Sequence, residues 1–191
     1  MAAESGQRSL ATLLSEVVAD VETLAGDHDV AERVLAEGCD WFIAMGKPHM
    51  VLEALHALTQ VAAGRPVDVK RLAGMVANWS PVVVGLRGFG QRGLARALLE
   101  AAMAGAYLSA GRLGEAERDA RSAVGFLETT DFITVHADSA LILGDVLRTA
   151  GRLRTAGRRE EAEAVFQRAL DLYGQKGNIV SVKGAATRLA S

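Results

Sequence analysis

Apolar side chains recur along this chain three and four positions apart, in blocks that a glycine repeatedly closes. That interval sets one stripe of side chains along one face of an α-helix. The pattern predicts nine helices, over residues 9–25, 29–45, 48–63, 66–78, 91–110, 113–127, 131–150, 158–173 and 179–190. Local signals place their ends. Asp29 with Glu32 forms a capping box for the second helix. Pro48 and Pro66 stand where a first helical residue belongs, because proline is tolerated there and not later. Pro81 lies beyond the fourth helix, Thr130 or Asp131 caps the seventh, Asn178 caps the last, and the Lys176, Gly177, Asn178 run stops the eighth.

Aligned on their turn glycines, the helices pair into four hairpins, approximately 9–45, 48–78, 91–127 and 131–173, with 179–190 as a cap. The reference glycines are Gly26, Gly64 and Gly111. The last hairpin is counted upstream from Gly151 and downstream from Gly157. Seven residues before the glycine stand Ala19, Ala57, Ala104 and Gly144, and five after it Ala31, Val69, Ala116 and Ala162. Nine after it stand Leu35, Ala73, Ala120 and Phe166, and twelve after it Gly38, Val76, Ala123 and Ala169. Small residues at a crossing, with larger apolar ones a turn away, are what ridge-into-groove packing of antiparallel helices requires. The signature GRxxEAE occurs twice, at 111–117 and 157–163, with looser echoes at 26–32 and 64–67.

The last hairpin carries an irregularity. Residues 147–152 read LRTAGR, and residues 153–158 read LRTAGR again. Six residues turn a helix by about 600°, leaving its face about 120° out of register. A plain extension of the helix spoils the packing, so one copy is expected to be extruded as a loop or an overhanging turn.

This pattern resembles the tetratricopeptide repeat, over 94–127 and 138–173 above all, then over 11–45 and 49–78. The chain departs from the family in two ways. Gly26 to Gly64 is 38 residues and Gly64 to Gly111 is 47, against a usual period of about 34, and Glu128 and Gly174 replace the closing proline. The stretch from Glu160 to Tyr173, followed by Lys176, Gly177 and Asn178, is similar to the C-terminal repeat regions of large actinobacterial regulators that join a cyclase or winged-helix domain to an ATPase. The resemblance implies an all-α fold: one domain over 1–191, built as a right-handed superhelical stack of about four antiparallel hairpins plus a C-terminal capping helix. It also implies a non-catalytic module that mediates protein association in a regulatory assembly.

In repeats of this family the first helices line the concave face, at positions 13, 10, 6 and 3 before the turn glycine. The first hairpin places Leu13, Glu16, Asp20 and Thr23 there. The second places Val51, Ala54, Leu58 and Val61, the third Leu98, Ala101, Gly105 and Leu108, and the fourth Asp138, Leu141, Asp145 and Arg148. The partner-binding set implied is Val51, Ala54, Leu58, Val61, Leu98, Ala101, Leu108, Leu141, Asp145 and Arg148. Its middle helices are apolar where a free-standing repeat is usually polar, which marks a covered surface. Three occupants fit: a helix or peptide of another protein, the chain's own segment 79–90 folded inward, or a second copy in a homodimer seam. No Lys or Asn sits at these positions, so the basic clamp for a C-terminal carboxylate is missing.

Composition narrows this picture only in places. A net charge of -2 gives no electrostatic reason to expect nucleic acid or an anionic membrane. Abundant Ala, Val, Leu, Gly and Arg with scarce aromatics and proline favours helix. The single cysteine, Cys39, excludes an intramolecular disulfide and fits a reducing cytosol, and no secretory signal reads at the start. The longest uncharged stretch, 72–86, is interrupted by Asn78, Ser80 and Pro81 and is too short to span a bilayer.

Two motifs resemble chemistry. Gly88, Gly90 and Gly93 spell GxGxxG after an apolar Val82, Val83, Val84 and before a helix, as in a dinucleotide-binding turn. That fold needs a second strand ending in an acid about 20 residues on, and the candidates Glu115 and Glu117 sit inside a repeat helix. The glycines therefore read as a flexible link between hairpins, with nucleotide or small-ligand binding at 88–93 or in the apolar groove as the alternative. His49, Glu53 and His56 share a helix face, yet a di-metal bundle needs a second Glu-x-x-His and none exists. Cys39, beside Gly38 and Trp41, reads as a buried structural thiol, and His136 has no nucleophile or acid at a catalytic spacing. No catalytic, cofactor-binding or metal-binding residues are expected.

Overall fold

A computed structural model of the chain describes residues 14–46, 50–62, 64–77, 89–153 and 157–190, and all regular structure among them is α-helical. In chain order the helices are α1 (Ser15–Ala25), α2 (His28–Ala44), α3 (Met50–Ala62), α4 (Val69–Ala77), α5 (Phe89–Ser109), α6 (Leu113–Leu127), α7 (Ile133–Leu153), α8 (Gly157–Lys176) and α9 (Ile179–Leu189). Each of α2 to α9 lies within three residues of the limits that the apolar periodicity predicts.

Four of these helices end in one and the same turn. α1, α3, α5 and α8 close on Gly26, Gly64, Gly111 and Gly177, with φ between +67° and +86°. In each turn the glycine N–H donates to the carbonyl three residues back: Thr23, Val61, Leu108 and Gly174. The next N–H reaches the carbonyl five residues back, from Asp27 to Glu22, Arg65 to Gln60, Arg112 to Tyr107 and Asn178 to Tyr173. This double closure satisfies carbonyls that a helix end leaves unpaired, and its left-handed residue is glycine because a Cβ is strained there.

The helix starts are read less well from sequence. Asp27, not Asp29, caps α2: the helix opens at His28, so the Asp27 carboxylate is the one that accepts from Val30 N at 3.2 Å. Pro66 precedes α4 instead of opening it. Asp68 supplies the cap by accepting from Arg71 N at 3.0 Å, and the helix begins at Val69. Thr130 Oγ1 accepts from Phe132 N at 3.4 Å in the turn before α7, while Asn178 caps α9 as expected, accepting from Ser181 N at 3.1 Å. Pro48 and Pro81 lie outside the described residues.

Contacts divide the chain into two compact units, Met1–Pro66 and Val67–Ser191, with the boundary inside the second expected hairpin. In the first unit α2 packs against α1 and α3, and α1 also touches α3. Ala19, Ala31, Leu35, Cys39 and Leu52 form its core, with Phe42 and Leu55 against it. Gly38 is the point of closest approach: a Cβ there would lie 2.7 Å from Leu52 Cδ2 and 3.0 Å from Ser15 Oγ. In the second unit each helix from α4 to α9 packs on the next, and α5 also touches α7. Its core includes Ala104, Ala120, Leu143, Leu147, Ala162, Phe166, Ala169 and Tyr173. Among the aligned positions Ala19, Ala57, Ala104 and Gly144 before the turn are buried, as are Ala31, Ala116 and Ala162 after it, whereas Val69 and Ala73 of the second hairpin are half-buried.

The expectation of one LRTAGR copy extruded as a loop or an overhanging turn falls on the junction of α7 and α8. α7 continues through Gly151 to Leu153 and α8 opens at Gly157, so the first copy is helical, while residues 154–156 lie outside the described ones. The packing survives because the crossing lies two turns upstream, where a Cβ on Gly144 would meet the Phe166 ring at 2.5 Å. Each helix keeps register with its own glycine, and the extra length prolongs the pair beyond the crossing. There Gly151 still approaches α8, its would-be Cβ 3.4 Å from Arg158 Cβ.

Candidate functional site

The ten residues expected to face a partner separate into covered and accessible ones. Ala54 on α3, Leu98 and Ala101 on α5, and Leu141 on α7 are buried, the last within the core of the second unit. Atoms of the chain itself cover these four. Leu58 and Val61 on α3 and Leu108 on α5 are half-buried, and the side chain of Val51 lies outside the described residues. In the first hairpin Glu16 is half-buried, Asp20 and Thr23 are exposed, and Leu13 lies outside the described residues.

Asp145 and Arg148 are committed to an internal clamp. Arg148 Nη2 donates to Asp145 Oδ1 at 2.7 Å, and Arg148 Nη1 donates to the Arg188 carbonyl on α9 at 2.8 Å. Arg188 Nε lies 3.6 Å from Asp145 Oδ2, and the Arg148 guanidinium sits 5.0 Å from the Phe166 ring centre. The pair tethers the last helix to α7 and covers the aromatic ring at the crossing. On the same hairpin the Tyr173 hydroxyl donates to Asp138 Oδ1, and burial followed by the neighbouring Asp138 charge pushes the phenol well above its ordinary range.

The repeated GRxxEAE signature acquires a purpose in the fold. Gly111 takes the left-handed turn, Arg112 lies 4.4 Å over the Tyr107 ring and donates to Glu115, and Ala116 is fully buried. Its last acid reaches the second copy. Arg158 Nη1 on α8 donates to Glu117 Oε2 on α6, and Arg121 donates both to Glu117 at 3.0 Å and to Glu161 at 2.6 Å. Burial pushes the Glu117 carboxyl upward, but the hydrogen bonds from Arg158 and Arg121 outweigh it and hold the group below its ordinary value. The charged positions of the signature therefore link one repeat to the next.

A comparable cluster stands in the first unit. Arg65 donates to both Glu32 and Asp29, Gln60 Nε2 donates to Glu32 Oε1 at 3.3 Å, and His56 Nε2 lies 3.8 Å from the same oxygen. Asp29, expected as a cap, here receives the turn arginine. Glu53 is buried beside this helix face, and among the described residues no group of three or more His, Cys, Asp or Glu is placed to hold a metal. The Cys39 thiol is buried in the core of the first unit.

The GxGxxG run is not a flexible link. Phe89 to Gly93 lies in the opening of α5, and the apolar Val82 to Val84 run that precedes the motif lies outside the described residues. Gly93 is small for a packing reason, since a Cβ there would lie 2.0 Å from Phe126 Cζ on α6. Gly88 lies outside the described residues. His136, on α7, is buried with no hydrogen-bond partner for Nε2, and burial, then repulsion from Arg168, holds its pKa below 6.5 against a weaker opposing pull from Glu128.

One surface escapes the position-by-position reading of the concave face. Leu14, Val17, Val18 and Val21 stand together on the outside of α1. The signal lies in the sequence as apolar residues at i, i+3, i+4 and i+7 on a helix that no described helix precedes. No helix among the described residues is long and apolar enough to cross a membrane. No family model, curated protein or solved structure matches the chain.

Proposed function

We propose that the chain is a non-catalytic helical-repeat module that mediates protein association, built as a tetratricopeptide-like superhelical stack and working in a regulatory assembly of the kind its closing residues resemble. The observation that carries this reading is the repetition itself. One glycine closure with the same two hydrogen bonds ends the first helix of three hairpins, α1, α3 and α5, and recurs after α8, and the position seven residues before the reference glycine is buried in all four hairpins. Chains built from one recurring hairpin expose long helix faces, and their usual work is to hold other molecules.

Against the nucleotide alternative stands Gly93, the last glycine of the motif, which lies inside α5 with the ring of Phe126 over it instead of facing an open turn. The test pairs a helical-peptide display screen on the full chain with a thermal-shift series in adenine and nicotinamide nucleotides. The association reading expects enriched helical peptides and no nucleotide stabilisation. A nucleotide at 100 times its dissociation constant stabilises its binder by about 2.7 kcal/mol, so a saturable rise in melting temperature replaces this reading with a ligand-binding one.

A further inference from the structure

We infer that the outer face of α1 is a docking site for a basic amphipathic helix of a partner protein. The face consists of Leu14, 46% exposed, Val17, 58%, Val18, 38%, and Val21, 59%. At about 100° per residue these four form one stripe about 100° wide along the helix. They stand 12, 9, 8 and 5 residues before the turn glycine, Gly26. The same positions on the later first helices are covered. On α3 they are Leu52, Leu55, His56 and Thr59, on α5 Leu99, Ala102, Met103 and Ala106, and on α7 Ser139, Ile142, Leu143 and Val146, and every one is buried or half-buried. α3, α5 and α7 each pack against the helix before them, and α1 has no preceding helix among the described residues. The repeat builds a helix-accepting face at this register, and on α1 that face is open.

The rim says what kind of helix fits. Asp20 and Glu22 flank the stripe on its two sides, Glu16 stands behind Asp20, and α1 contains no Lys or Arg. A partner helix carrying Lys or Arg on both edges of its apolar stripe meets a complementary charge on each side. A second copy meeting the face with its own α1 sets acid rim against acid rim, which like-charge repulsion disfavours. The acid rim equally disfavours an anionic membrane surface. This inference rests on the association reading and assigns it an apolar stripe beside the concave positions, of which Asp20 and Glu16 form one edge.

The probe is a phage library of 16-residue helices with leucine fixed at i, i+3, i+4 and i+7 and Lys, Glu, Ser or Ala varied elsewhere, selected on the full chain. Enriched peptides are expected to carry Lys on both sides of the leucine stripe, and to bind at least about tenfold more weakly to Val17→Ser/Val21→Ser, whose changed residues are solvent-exposed. Against Asp20→Lys/Glu22→Lys the preference should reverse to Glu-rimmed peptides. Circular dichroism melts identical to the parent chain establish that both variants fold. Enrichment indifferent to rim charge overturns the inference. So does binding that ignores the α1 variants but is lost on Leu58→Asp or Leu108→Asp, an outcome that leaves the association reading standing. A concentration-dependent dimer in light scattering that Val17→Ser/Val21→Ser disperses gives the face to a second copy. Failure to enrich any peptide fails the association reading together with the inference.

Discussion

At the residue scale, close approach separates glycines that look alike in the sequence. Gly144 and Gly93 both lie inside helices under an aromatic ring. Phe166, over Gly144, is fully buried and cannot yield, whereas Phe126, over Gly93, is exposed enough to swing outward. Alanine gains about 1 kcal/mol of helix propensity over glycine at either site. Overpacking against an immobile ring costs about 1–3 kcal/mol, so Gly144→Ala should lower the unfolding free energy in urea, while Gly93→Ala should leave it within about 0.5 kcal/mol of the parent. His136 supplies a pH test. Its folded pKa lies below the unfolded value of 6.5 because burial and Arg168 oppose the charge. Stability is therefore full above that value and declines as pH falls through it, since the unfolded chain takes up the proton first, then levels once the folded form protonates. Urea midpoints between about pH 7.5 and 5.5 should show this decline, and His136→Gln should flatten it. A variant with an unchanged slope assigns the decline to other groups.

At the element scale, the helices are held by two devices of unequal strength. Small residues at the crossings let α7 and α8, and α1 to α3, approach closely, and these contacts exclude water. The Glu117, Arg121, Arg158 and Glu161 ladder between α6 and α8 is half in solvent, so it fixes register more than it stabilises. The duplication tests that ordering. Deleting residues 153–158 restores a single GRxxEAE turn at Gly151 and leaves the crossing of Gly144 with Phe166 untouched. The shortened chain should keep its helical circular dichroism and lose less than about 1 kcal/mol in urea, because a prolonged hairpin end contributes little. A loss of several kcal/mol makes the long ends of α7 and α8 part of the core.

At the scale of the whole molecule, the division at Pro66 and Val67 gives two cores of different size. The core of the second unit gathers residues from α5 to α9, whereas that of the first rests on three helices. Expressed alone, Val67–Ser191 should remain helical and unfold in one cooperative transition by circular dichroism and by tryptophan-independent probes alike. A non-cooperative melt makes that unit dependent on the rest of the chain.

Local sequence is enough to place the described helices, because the spacing of apolar residues and the turn glycines are local facts. Gly26, Gly64, Gly111 and Gly177 announce their left-handed turns, and Asn178 its cap, from nearest-neighbour chemistry alone. It also determined which small residues are covered, since the register of Ala31, Ala116 and Ala162 repeats with the turns. What those surfaces meet depends on packing between helices distant in sequence. The positions read as a concave binding face divide into core residues such as Leu98 and Leu141, a clamp at Asp145 and Arg148, and half-open Leu58, Val61 and Leu108. The open stripe of Leu14, Val17, Val18 and Val21 was equally visible as a pattern, but a pattern shows that a face is apolar, not whether it is covered. Burial depends on side chains distant in sequence, whose arrival no local signal records.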